Sequence, residues 1–188
     1  NHCSFTDSLV YGDTYMETFP TWTPDGKSLY FTRAQGYQKG MALDSIRYDL
    51  CRISFDASTE KIGAPEMVLQ ASAQQKSISF PCVSPNGKYL MFTLSDYGNF
   101  SIWHPESDLY IMDLTTGTTK NLENVNSNDV DSYHTWSSSG HWFVFSSKRM
   151  DGLWARPYIA AFNPETGETG KAFLLPQKDP MFYDNYTY

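Results

Sequence analysis

Three segments of this chain align without gaps, and that repetition limits the possible folds more than any other feature. They are FPTWTPDGKSLYFTRA from Phe19 to Ala34, FPCVSPNGKYLMFTLS from Phe80 to Ser95, and YHTWSSSGHWFVFSSK from Tyr133 to Lys148. Each opens on an aromatic residue (Phe19, Phe80, Tyr133), passes a polar turn ending in Gly (Gly26, Gly87, Gly140), and closes with an apolar run ending in Phe (Phe31, Phe92, Phe145). Thr23-Pro24-Asp25-Gly26 and Ser84-Pro85-Asn86-Gly87 are strong turn sequences. Proline presets φ, Asp or Asn tolerates the bend, and Gly accepts positive φ at no steric cost. Ser138-Ser139-Gly140 is a weaker version of the same turn. Strand, tight turn and strand make a hairpin.

A third strand candidate follows each hairpin: Ile46 to Phe55, Asp108 to Leu114, and Arg156 to Phe162. Turn signals come next, and then a short apolar run: Met67-Val68-Leu69, Lys120-Asn121-Leu122, and Ala172 to Leu175. The pattern predicts four antiparallel strands per repeat, three times over. The boundaries are 1–18 for an N-terminal tail or a strand of a preceding unit, 19–75, 76–125 and 126–176 for the repeats, and 177–188 for a C-terminal tail. The turn glycines recur at spacings longer than the ~40–45 residues of a minimal four-stranded repeat. The excess falls between the second and third strands, at Gln35 to Ser45 and Asp96 to Ser107. Insertions at one place in every repeat project from one face, often the binding face. Pro65 to Gln75 has an alternative reading as a short helix, but the repeat alignment favours a strand at Met67 to Leu69.

Composition agrees with an all-β chain. Of 188 residues, 40% are hydrophobic and 16% aromatic, and large flat residues favour strands. The net charge of -7 disfavours a general nucleic-acid binder, because an acidic surface repels phosphates. No run approaches the ~20 apolar residues of a spanning helix. Cys3, Cys51 and Cys82 show no C-x-x-C and no zinc spacing. Cys51 and Cys82 read as small buried hydrophobes, although sequence alone leaves a disulfide open. The start, Asn1-His2-Cys3-Ser4, has no initiator Met and no signal-peptide pattern, as a processed chain or a fragment would look.

PTWTPDGKSLYFTR, PCVSPNGKYLMFT and DLYIMDLTTGTTKNL resemble the WD40-like (PD40) repeats of TolB-type β-propellers. SDYGNFSIWHPESDLYIMDL and SYHTWSSSGHWFVFSSKRMDG look like a Bacteroidetes envelope subfamily. The resemblance runs from about Phe19 to Leu175. It implies β-propeller-type four-stranded antiparallel blades, about three complete repeats plus tails, in a partial or open propeller. It also implies a periplasmic or envelope location. Some members of the subfamily carry a c-type haem, but no C-x-x-C-H occurs here. TolB-type rings close with six blades, so the chain is expected to be the C-terminal part of a larger propeller or an unusually small one. Leu9-Val10-Tyr11 and Phe182 to Tyr186 are weak strand candidates for a further blade built from the tails. A half propeller is expected to self-associate or to bind its missing half, since two blade faces would be bare.

The candidate ligand-binding residues fall in three groups. His134 replaces Pro20 and Pro81 on the strand expected nearest the axis, with Asp131 and Tyr133 beside it. The insertion from Asp96 to Glu106 places Tyr97, Trp103 and His104 among carboxylates. Rings that stack next to hydrogen-bonding groups suit sugar or peptide recognition. The bland alternative is that this loop folds back onto its own blade. After the third hairpin come Arg149, Trp154 and Arg156. The arginines suit a bidentate grip on a carboxylate or, equally, inter-blade ion pairs. Asp129-Val130-Asp131 lacks the glycine and the spaced ligands of a calcium loop, so no metal and no cofactor are expected. H-E-x-x-H, G-x-S-x-G and P-loop motifs are absent.

The leading expectation is a non-enzymatic interaction module with a protein or glycan partner, without nucleic acid and without membrane insertion. The alternative is an accessory or catalytic propeller domain of a hydrolase or lyase, with a site around His134 and Arg156. A purely structural fragment is the third reading.

Overall fold

The structure is a computed structural model that describes residues 14–179 and 181–184. Leu9-Val10-Tyr11, His2 and Cys3 lie outside the described residues. The described chain is all-β, in three antiparallel sheets that follow one another in sequence. Sheet I contains β1 (Tyr15–Trp22), β2 (Ser28–Gln35), β3 (Asp49–Asp56), β4 (Lys61–Ile62) and β5 (Glu66–Leu69), the last two both pairing with β3. Sheet II is β6 (Ser77–Val83), β7 (Tyr89–Ser95), β8 (Asp108–Asp113) and β9 (Thr119–Asn121). Sheet III is β10 (Asp131–Trp136), β11 (Trp142–Ser147), β12 (Arg156–Ala161) and β13 (Phe173–Leu174).

The hairpin turns form for the reason the residues suggest. Gly26, Gly87 and Gly140 have φ of +69°, +71° and +71°. In the first turn Thr23 Oγ1 donates to Asp25 Oδ1 at 2.6 Å and accepts from the Ser28 amide at 3.0 Å. Ser84 and Asn86 repeat this at 2.7 Å, and Tyr89 N donates to Ser84 Oγ at 3.0 Å. The third turn keeps the geometry with Ser137 and Ser139, whose hydroxyls lie 3.1 Å apart.

The inner strands share a feature that the sequence did not disclose. Phe19, Phe80 and Tyr133 adopt φ of +53°, +53° and +52°. Each sits where the inner strand slips register against its neighbour, at Thr18/Thr21, Ser79/Cys82 and Ser132/Thr135. A bulky residue in the left-handed region is a costly outlier, yet all three repeats pay it. The left-handed turn aims the three rings at one another, with centroids 4.3 Å apart from Phe19 to Phe80 and 4.3 Å from Phe80 to Tyr133. Such contacts return about 0.5–1.5 kcal/mol each beyond area burial.

The core lies between the sheets. Tyr30 and Leu50 of sheet I meet Val83, Leu90 and Phe92 of sheet II. Tyr89, Met91 and Ile111, on the opposite face of sheet II, meet Phe143, Phe145 and Ala160 of sheet III. Burying a side chain the size of Phe92, fully enclosed here, contributes about 1.5–3 kcal/mol.

Two weaker expectations are settled by capping and turn chemistry. Residues 65–75 hold a strand, Glu66–Leu69, and then a 3-10 turn, Ala71–Gln74. Asp49 accepts from the Ser72 amide and hydroxyl, both at 2.8 Å, and fixes that turn. The strand candidate at Phe182 is overturned over its described part, because residues 181–184 form a turn. Asp179 accepts from the Met181 amide at 3.0 Å, and Tyr183 anchors its hydroxyl on the Leu175 carbonyl at 2.8 Å.

Candidate functional site

The long connections between second and third strands, residues 36–48, 96–107 and 148–155, lie at the end of the sheets opposite the Gly turns. The first two are fastened to the following sheet by buried serines and backbone groups. Tyr48 N donates to Ser77 Oγ at 2.9 Å, and Ile78 N donates to the Tyr48 carbonyl at 2.9 Å. The second loop repeats the device one sheet along. Ser101 Oγ contacts Ser132 Oγ, and Asp131 N donates to the Ser107 carbonyl at 2.9 Å. The 96–107 loop thus bridges to sheet III as well as packing on its own sheet. The two loops also touch, through Gly98 N to Ile46 O at 2.8 Å.

The charged candidates are engaged with one another. Asp96 pairs with Lys76 at 2.6 Å. His104 packs edge-on against Tyr97 at 4.4 Å and shares a 3.0 Å contact with Glu106. Asp131, fully buried, accepts from Arg149 Nη2 at 2.6 Å, from Ser127 N at 2.7 Å and from Ser127 Oγ at 2.9 Å. Arg149 also donates to the Val125 carbonyl at 2.8 Å and lies over the Tyr158 ring at 4.4 Å. Arg156 donates to Asp151 at 2.7 Å and to the Trp154 carbonyl at 3.3 Å. The Asp151 carboxylate is held down to about 2 by the Trp154 and Leu153 amides and by Arg156.

His134 is 7% exposed, and neither ring nitrogen has a hydrogen-bond partner of normal geometry. Burial drives its pKa down to about 4, and the Met91 and Phe80 backbone offsets part of that shift. The ring is therefore neutral at pH 7 and lodged against sheet II, away from solvent. Cys51 and Cys82 are free thiols whose pKa values are raised by burial.

The aromatic candidates behave differently. Trp103 is 77% exposed, and Lys148 Nζ lies 4.6 Å from its ring centroid. Tyr97, Tyr133 and Trp154 are also exposed. Also exposed on the three loops are residues outside the named candidates: Tyr37 and Leu43 on the first loop, Phe100 on the second, Met150 and Leu153 on the third. Their common signal was position, since all lie on connections between a second and a third strand. Beside the first loop is a polar hollow of about 510 Å³, lined by Arg33, Arg47, Asp49 and Gln75. Among the described residues, no three His, Cys, Asp or Glu side chains are grouped to hold a metal ion. What this end offers is stacking surface on fastened loops, rimmed by charges already paired.

No family model matches the chain, and no curated protein matches it in sequence. Solved structures do share its fold. An oligogalacturonate lyase in complex with manganese superposes with a TM-score of 0.59 at 12% identity, covering 89% of this chain and 44% of the lyase. The oligogalacturonate lyase from Vibrio parahaemolyticus gives a TM-score of 0.57 at 12% identity, covering 88% and 44%. A puromycin-hydrolyzing peptidase from Mycobacterium tuberculosis gives 0.56 at 15%, covering 87% and 24%. The chain thus spans less than half the length of these proteins. At such identities the likeness is one of fold, and it supports a β-propeller-like arrangement of the three sheets.

Proposed function

We propose that this chain is an interaction module, a TolB-like propeller piece of the bacterial envelope that binds a protein or glycan partner through its loop end. The observation that carries this reading is the division of labour at that end. Trp103, Phe100 and Leu153 stand exposed on the loops, whereas Asp96, Asp131, Arg149 and Arg156 are consumed by ion pairs. Exposed rings on pre-organised loops bind at low entropic cost. The reading that puts catalysis around His134 and Arg156 gains no support from this geometry, because His134 is buried and Arg156 is held by Asp151.

The test is a glycan array and an envelope-extract pull-down with the full chain, each repeated with Trp103→Ala. Retained binding of the same partner by the variant overturns the assignment of this end. A measurable turnover that Trp103→Ala leaves intact and His134→Ala abolishes replaces it with the enzymatic reading.

A further inference from the structure

The loop end gives most of its cations to carboxylates. Lys76 pairs with Asp96, Arg149 with Asp131 and Arg156 with Asp151, at 2.6, 2.6 and 2.7 Å. Arg47, on the first loop, is different. Among the described residues it forms no ion pair, and its Nη1 donates to the Asp44 carbonyl at 3.2 Å. Its Nε is buried without a hydrogen-bond partner. Arg52 and Arg156 share an unpartnered Nε, but each also gives an Nη to a carboxylate. A half-buried guanidinium with unspent donors and no counter-ion is uncommon in a folded chain and calls for an acceptor.

Arg47 lines the hollow of about 510 Å³ together with Arg33, Asp49 and the apolar side chains of Met41, Ile46 and Met67. That volume is within the ~300–1,000 Å³ of small-molecule sites. Arg33 is held in place, because its Nε donates to Glu17 at 3.1 Å and its guanidinium lies 4.5 Å from the Tyr15 ring centroid. A guanidinium fixed through Nε keeps its other nitrogens for a second acceptor. Asp49 forms no ion pair with either arginine. Its two oxygens accept from the Ser72 amide and hydroxyl, at 2.8 Å each. Glu17 bonds Arg33 from outside the lining. The wall thus sets two cations against one carboxylate, and that carboxylate is already engaged.

We infer that this hollow binds the carboxylate of a small organic acid, with the Nη groups of Arg47 and Arg33 as donors and Met41, Ile46 and Met67 against its apolar body. Planar guanidinium forks match the two oxygens of a carboxylate. One positive charge in excess on the wall suits a monoanion. A phosphate dianion would bring a second charge that Asp49 opposes. An amide or alcohol would leave the guanidinium charge unanswered. The clamp of Asp49 on Ser72 sets the wall before a ligand arrives, so little ordering is lost on binding. Trp103, Phe100 and Leu153 do not line the hollow, and the inference does not rest on their binding a partner.

The test is a titration of the isotope-labelled full chain with sodium hexanoate, followed by nuclear magnetic resonance through the arginine Nε–H signals. Hexanoate should shift the Arg47 and Arg33 signals saturably, with half-saturation in the millimolar range or below. Hexanamide, the same body without the charge, should not, and inorganic phosphate should bind at least tenfold more weakly. Arg47→Met should abolish binding and keep the circular dichroism of wild type, because Arg47 holds no ion pair. Arg47→Lys keeps the charge and loses the fork, so affinity should fall at least tenfold even where Arg47→Met proves unstable. Trp103→Ala should bind hexanoate as wild type does, which separates this site from the exposed rings. No saturable shift with hexanoate at tens of millimolar overturns the inference. So does binding that survives Arg47→Met, or phosphate that binds as well as hexanoate, which would mean an indiscriminate anion patch.

Discussion

The two ends of the sheets solve different problems with the same repeat. At the Gly-turn end all three copies use one construction, a hydroxyl, a turn acceptor and a left-handed glycine. At the loop end the copies diverge. The first strand position that is Ile78 in sheet II, fully buried in the apolar core, is Asp131 in sheet III, bound to Arg149, and Glu17 in sheet I, bound to Arg33. One end is constrained by backbone geometry that every repeat must meet. The other is constrained only by having its polar groups satisfied, which several side-chain sets achieve.

The sharpest break of this contrast is at Asp131. Removing one partner of a buried pair leaves an uncompensated charge. Arg149→Ala or Asp131→Ala should therefore cost about 3–5 kcal/mol in chemical denaturation, and a loss under about 1 kcal/mol would show the pair to be dispensable. Replacing Glu17, whose pair with Arg33 is more exposed, should cost about 0.2–1 kcal/mol in the same assay.

Next in size is His134. Its folded pKa of about 4 lies below the ordinary 6.5, so the unfolded chain binds more protons between these values. Stability should then rise with pH from about 4 to 6.5 and level off above, by up to about 3 kcal/mol. His134→Leu should flatten that slope, measured by urea unfolding at pH 5 and pH 7. His134→Pro should also fold, because Pro20 and Pro81 show that no amide proton is needed there. A slope unchanged in both variants would assign the pH dependence elsewhere.

The Gly-turn end should respond more evenly. Gly26→Ala, Gly87→Ala and Gly140→Ala should each cost about 1–2 kcal/mol, because each residue has positive φ. Equal losses confirm a shared backbone requirement, and a silent substitution would dissolve it. The smallest effect belongs to Trp103→Ala. At 77% exposure it should change stability by less than about 0.5 kcal/mol, so any loss of partner binding reads as a loss of contact rather than of fold.

Much of this was legible in the residues. The turns, the strand order within each repeat, and the position of the insertions all rest on interactions a few residues apart. The candidate site was legible as a place but not as chemistry. Arg149 and Arg156 suited either a ligand carboxylate or ion pairs between blades, and folding gave both to carboxylates of their own repeat, Asp131 and Asp151. Residues 96–107 held a run of aromatics whose attachment to Ser132 and Lys148 no local pattern disclosed.

The sequence by itself determined three successive antiparallel units, because proline, Asx or Ser, and glycine at fixed spacing leave a short chain few other ways to turn. Tertiary structure alone decided the left-handed rings of Phe19, Phe80 and Tyr133 and the burial of His134. Each of these depends on which sheet lies next to which, a matter of contacts dozens of residues apart whose energies are settled only when the sheets meet.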